Sequence, residues 1–93
     1  MRAFALVAFP GGFGTFDELF ETLTLIQTGK IKPIPIILFG REYWKKAVNF
    51  DFLVYEGMIA EKDKELFQMV EKAEEAWDII SDFYKRQNDL IDA

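Results

Sequence analysis

The sequence contains no cysteine and no histidine. Without cysteine there is no disulfide and no thiol nucleophile, and without histidine the usual zinc sites and hydrolytic triads lose their ligands and base. No metal site is expected, and any general acid or base has to be Asp, Glu, Lys or Tyr. No apolar run approaches the roughly 20 residues that a membrane-spanning helix needs. Residues 1–9 are too short and too abruptly ended by Pro10 to read as a secretory signal, so the expected location is cytoplasmic. Basic charge is scarce: 11 Lys and Arg stand against 16 Asp and Glu, for a net charge of -5. The deficit is local, because residues 1–60 balance six basic against six acidic side chains while residues 61–93 set five against ten. That distribution speaks against nucleic acid or an anionic membrane as partner, since both select clustered Lys and Arg.

What is present is the composition of a folded domain. The 93 residues are 51% hydrophobic and include ten phenylalanines, enough for one bulky core and too few for two. Residues 1–93 are therefore read as a single domain. Residues 3–9 form a continuous apolar run, the pattern of a strand buried on both faces of a parallel sheet. Phe16, Leu19, Phe20 and Leu23 then recur at helical spacing, with Asp17, Glu21 and Thr24 on the other side and Gly29 as a C-terminal stop. Ile34 to Phe39 repeats the buried-strand pattern, with Pro33 and Pro35 confined to its start, where a missing amide donor is tolerated.

The rest is less regular. Residues 42–57 read as one further helix with Trp44, Ala47, Val48 and Tyr55 on one side, although Phe50, Phe52 and Leu53 blur the period. Residues 61–66 read as a short charged helical turn and residues 67–70 as a brief third strand. A final helix follows, its apolar stripe made by Ala73, Ala76, Trp77, Ile80, Phe83 and Tyr84, with Glu74, Glu75, Asp78, Asp82 and Lys85 facing away. The order predicts an α/β fold: a Rossmann-like, mostly parallel sheet with flanking helices.

Pro10-Gly11-Gly12-Phe13-Gly14-Thr15 lies between the first strand and the first helix. A Gly-rich turn there presents free backbone N–H groups at the positive end of the helix dipole, and glycine lets a phosphate approach closely. The spacing is neither that of dinucleotide binders nor that of a P-loop, since Gly29-Lys30 is followed by Ile31. A turn that merely requires positive φ is the alternative for the glycines. For Thr15 and Glu18 the spacing alone also fits a capping box, with Thr15 at the N-cap. Lys30, Lys32, Lys45 and Lys46 sit in polar stretches, which suits solvated side chains and not a Schiff-base lysine in a shielded pocket. Trp44, Tyr55, Trp77 and Tyr84 read as core or interface aromatics.

The run from Pro10 to Glu18 resembles the Pro-Gly-Gly-x-Gly-Thr-x-x-Glu motif of the Lonely Guy family, the nucleoside 5′-monophosphate phosphoribohydrolases often labelled lysine decarboxylase-like. The resemblance extends through residues 23–29, 32–40 and 56–59. It implies cleavage of the N-glycosidic bond of an AMP-type or cytokinin nucleotide, with Gly11, Gly12, Gly14 and Thr15 holding the phosphate and Glu18 as the catalytic carboxylate. It implies no cofactor, a homodimer or higher homo-oligomer, and a nucleoside monophosphate or related phosphorylated ligand as partner. It also implies that this chain matches the C-terminal half of the family domain, without the N-terminal catalytic arginine; Arg2 sits too close to the strand to be that residue. A nucleotide-binding or carrier module without turnover, or an inactive fragment, is the alternative.

Overall fold

The computed structural model describes residues 5–92, with side chains as far as residue 87. Strand β1 (Leu6–Ala8) leads through the glycine loop into helix α1 (Phe13–Gln27), and β2 (Ile36–Phe39) follows. Two short helices, α2 (Arg41–Ala47) and α3 (Phe50–Tyr55), and a 3₁₀ helix (Glu61–Leu66) lead to β3 (Gln68–Val70) and α4 (Ala73–Asp92). The strands form one parallel sheet of order β1-β2-β3, with Val7 beside Ile37 and Leu38 beside Met69. The parallel α/β architecture expected from sequence is the one observed.

Pleating sends alternate side chains to opposite faces. Ala8, Ile36 and Leu38 point to one side and join Leu19 and Ile26 of α1, Trp44 of α2 and Phe50 of α3 in the main core. Ile37 and Val70 point to the other side and meet Ala76 of α4, with Ile79 and Ile80 packed around them. The β2 strand is buried throughout its first three residues because it is the central strand. The β1 strand was expected to be buried on both faces, yet Leu6 and Val7 are only half-buried. The reason is position: β1 is an edge strand, and residues 3 and 4 of the apolar run lie outside the described residues.

Helix α1 ends as expected at Gly29, whose φ of 76° is one that glycine adopts without strain. The Lys30 and Gly29 amides donate back to the carbonyls of Leu25 and Ile26 at 2.9 and 3.0 Å, the paired bonds of a Schellman stop. Two expectations need correction. The single helix over 42–57 is two helices, because Val48 is extended and Asn49 Oδ1 takes the Phe52 amide at 2.9 Å as a new N-cap. Trp44 and Phe50 are both buried, and six residues of continuous helix would set their directions about 120° apart, so the break is what turns both inward. In α4 the buried stripe runs through Ala76, Ile79 and Ile80, while Trp77 is 68% exposed. Its bulk placed it in the expected stripe; the sheet takes the face one residue away.

The 3₁₀ helix is tied to α1 by one carboxylate. Asp63 accepts the Ala60 amide at 2.8 Å and the Gln27 side-chain amide at 2.9 Å. The Ala60 amide first, then Gln27, holds Asp63 below its ordinary value of 3.8. A carboxylate with a lowered folded-state pKa contributes stability that is complete above the unfolded value and is lost as pH falls through the folded one. Urea unfolding followed from about pH 6 to about pH 3 should therefore show a midpoint that drops below about pH 4, with a shallower drop in Asp63→Asn. Among the described residues no helix is long and apolar enough to cross a membrane.

Candidate active site

The loop that follows β1 sits at the carboxyl end of the parallel strands, where open α/β sheets place their ligands. Gly12 is the N-cap of α1, extended at φ −106° and ψ −150°, and no side chain caps the helix. The capping box expected at Thr15 and Glu18 is not formed. The helix starts at Phe13, so Thr15 is already inside the first turn and cannot serve as the cap. Its side chain faces Gly11 instead: a Cβ at Gly11 would lie 2.3 Å from Thr15 Oγ1 and 3.0 Å from Thr15 Cβ. Gly11 is thus required by close approach of Thr15.

Gly12 and Gly14 are different. Neither has positive φ, and a Cβ at either would meet no atom within 4 Å. Gly14, in the first turn of the helix, also favours the helical backbone less than alanine would. The reading in which these glycines serve only a positive-φ turn is therefore removed. Among the described residues no acceptor meets the amides of Gly12, Phe13, Gly14 or Thr15, which leaves a row of donors at the positive end of α1.

Glu18 lies one turn further along α1, exposed, and its carboxylate has no hydrogen-bond or ion-pair partner among the described residues. It shares with Thr15 a cavity of about 220 Å³ that runs along the free edge of β1 from Leu6 to Pro10. The structure thus brings Thr15 and Glu18 together in one cavity, beside Gly11, Gly12 and Gly14. Asp17 lines a different groove, with Phe13, Phe16 and Phe20, so among the described residues Glu18 is the one carboxylate that lines the cavity. A larger cavity of about 260 Å³ opens at the amino ends of β2 and β3 among Pro33, Gln68, Phe83 and Arg86. It contains no motif residue, and size does not identify the site.

Several groups on this edge were not legible in the sequence. The Tyr43 hydroxyl donates to the Gly11 carbonyl at 2.5 Å. Gly40, with φ 93°, lets β2 turn sharply into α2 with the Pro10 ring against it, 3.4 Å from where a Cβ would stand. The Arg41 amide donates to Glu71 Oε1 at 2.7 Å, and its guanidinium donates to the Met69 carbonyl at 3.0 Å. Glu75 Oε1 accepts the Glu71 and Lys72 amides, each at 3.0 Å, and the Glu71 amide first holds it below the ordinary 4.5. Only the Gly40 turn had a sequence signal, a glycine closing an apolar run.

Lys30, Lys32, Lys45 and Lys46 are all exposed, and Lys46 pairs with Glu42 at 2.8 Å. None occupies the shielded pocket that a Schiff-base lysine needs.

A family model described as "Possible lysine decarboxylase" matches residues 1–80. A cytokinin riboside 5′-monophosphate phosphoribohydrolase of Arabidopsis thaliana is 26% identical over 91 residues, covering 97% of this chain and 43% of the relative. Another from the same plant is 33% identical over 84 residues, covering 88% and 39%. One from Oryza sativa subsp. japonica is 40% identical over 58 residues, covering 61% and 24%. The chain thus spans less than half the length of these curated relatives. With the glycine loop, Thr15 and Glu18 assembled at the carboxyl edge of a parallel sheet, and with the family model matched over most of its length, the chain belongs to the Lonely Guy, or "possible lysine decarboxylase", family.

Proposed function

We propose that the chain cleaves the N-glycosidic bond of a nucleoside 5′-monophosphate of the AMP or cytokinin type, giving free base and ribose 5-phosphate. The observation that supports this most directly is the pair Gly12 and Gly14, which neither backbone geometry nor a neighbouring atom among the described residues requires, beside four amides that meet no acceptor among those residues. Such a loop suits a phosphate monoester, whose oxygens need close approach and N–H donors. The ribose would extend along α1, where Glu18 stands about 4.5 Å further on in rise. As the bond from C1′ to the base nitrogen breaks, its electron pair leaves with the base and positive charge develops on the sugar. A carboxylate stabilises that charge and takes the proton of the water that adds to C1′; the proton ends on the departing base. The names of the relatives describe this same reaction class and support carrying it to this chain.

The reading includes self-association through α1. Phe13 is 95% exposed, and with Phe16 and Phe20 it lines a groove open to solvent, a surface that a monomer rarely leaves uncovered. Sedimentation equilibrium should give a mass above one chain, and Phe13→Asp should lower it.

Incubating the chain with AMP and other nucleoside monophosphates while following free base by chromatography tests the activity. Base release is expected. Titration with ribose 5-phosphate in parallel separates the remaining cases: binding without release would make the chain a carrier, and neither would overturn the reading. Gly14→Ala sharpens the test, because its two effects have opposite signs. Helix propensity should raise the thermal midpoint, by less than the roughly 1 kcal/mol of an interior helical site, while the new methyl group should weaken ribose 5-phosphate binding. Unchanged binding would mean that the open space beside Gly14 is not a ligand's.

A further inference from the structure

The peptide between Gly11 and Gly12 is flanked by glycine on both sides, so no Cβ restrains the orientation of its plane. It is trans, as are all described peptide bonds, and in a trans peptide the carbonyl and the N–H point in opposite directions. Whatever fixes the Gly11 carbonyl therefore aims the Gly12 amide. The Tyr43 hydroxyl fixes it, at 2.5 Å and from 32 residues away in the chain.

The phenol is itself well anchored. Its ring stands edge-on to Trp44, with centroids 5.3 Å apart and planes at 87°. Trp44 is fully buried and donates through Nε1 to the Phe39 carbonyl at 3.0 Å. Pro10 meets the turn at Gly40 from the loop side, so the loop and the start of α2 are packed as one corner.

We propose that Tyr43 is a positioning residue for the phosphate loop: by holding the Gly11 carbonyl toward α2, it keeps the Gly12 amide turned to the open side, where a phosphate oxygen would accept it. This rests on the reading of the loop as a phosphate site. Without the hydroxyl the Gly-Gly peptide is free to turn over, and a carbonyl oxygen facing the anion repels it.

The test uses the whole 93-residue chain, with ribose 5-phosphate as probe and AMP as substrate. Tyr43→Phe keeps the ring against Trp44 and removes only the donor. Ribose 5-phosphate binding should weaken by about three- to tenfold, the size of one lost hydrogen bond. KM for AMP should rise by a similar factor with kcat unchanged, a split that general loosening of the fold would not produce. In ¹⁵N-resolved NMR spectra of the ligand-free chains, the Gly12 amide should shift in the variant while resonances of β2 stay in place. Equal binding and an unmoved Gly12 amide in Tyr43→Phe would overturn the role of Tyr43 and leave the phosphate reading intact. A wild-type chain that binds no ribose 5-phosphate would overturn both. A variant that fails to fold, seen by circular dichroism, would make Tyr43 a core residue and also overturn the proposal.

Discussion

Glu18→Gln is expected to lower base release from AMP by about a hundredfold to ten-thousandfold, the range for loss of a positioned general base, while ribose 5-phosphate binds as before. The substitution preserves shape and helix propensity, and the Glu18 side chain is exposed on α1 with no partner to lose among the described residues. Its stability effect should therefore be near zero, so a fall in rate reports on chemistry alone. Under the proposed mechanism two things vanish together in glutamine: the negative charge that would stabilise the developing oxocarbenium ion and the carboxylate oxygen that would take the proton from water. Among the described residues no other carboxylate lines the cavity, because Asp17 and Glu21 line the groove on another face of the helix. A fall in kcat and kcat/KM together would place the role of Glu18 in the transition state; a rise in KM with kcat unchanged would make it a binding group. Full activity in the variant would remove Glu18 from the mechanism altogether.

The parts of this molecule that could be read from sequence are those governed by neighbours in the chain. The spacing of Phe16, Leu19, Phe20 and Leu23 located α1 and Gly29 its end, and the apolar run from Ile34 located β2, which starts two residues later, at Ile36, after Pro35. Even the three-residue β3 could be located, because Phe67 to Val70 is an apolar patch between two charged stretches. Readings failed where a distant surface decided the outcome. Trp77 and Ile79 differ in which of them the sheet covers, and the helix alone does not say. The break at Val48 and Asn49 appeared only as a blurred period, because Trp44 and Phe50 both had to turn toward the same core. At the site the glycines, Thr15 and Glu18 were legible as a motif, but only geometry spoke against a Thr15 cap and a positive-φ turn: the helix starts before Thr15, and neither Gly12 nor Gly14 has positive φ. Tyr43 was invisible, since a hydroxyl that meets a carbonyl 32 residues earlier leaves no local pattern.

The other large effect lies beneath the site. Trp44→Ala is expected to destabilise the chain by about 3–5 kcal/mol, the usual cost of removing a large buried aromatic ring. A domain of this size has a total margin of roughly 5–15 kcal/mol, so the variant should unfold at a much lower urea concentration or fail to fold at 37 °C. Trp44 is 0% exposed, lies edge-on to Phe16 at 5.4 Å and joins α1, β2 and α2 in one cluster. The loss is also polar, because the Phe39 carbonyl would surrender its Nε1 donor at the end of β2. Trp44→Phe separates the two contributions: it fills most of the space and forfeits the hydrogen bond, so its cost should fall well below that of alanine. Trp77→Ala is the control, since that ring is 68% exposed and its removal should change stability by no more than about 0.5 kcal/mol. The contrast reaches the site through Tyr43. If α2 is held to the sheet chiefly by Trp44, then Trp44→Phe should also weaken ribose 5-phosphate binding, because a looser α2 carries the phenol that restrains Gly11. Unfolding curves and phosphate titrations of the same variants would show both, and a Trp44→Phe chain that binds like wild type would mean that the loop keeps its shape independently of the core beneath it.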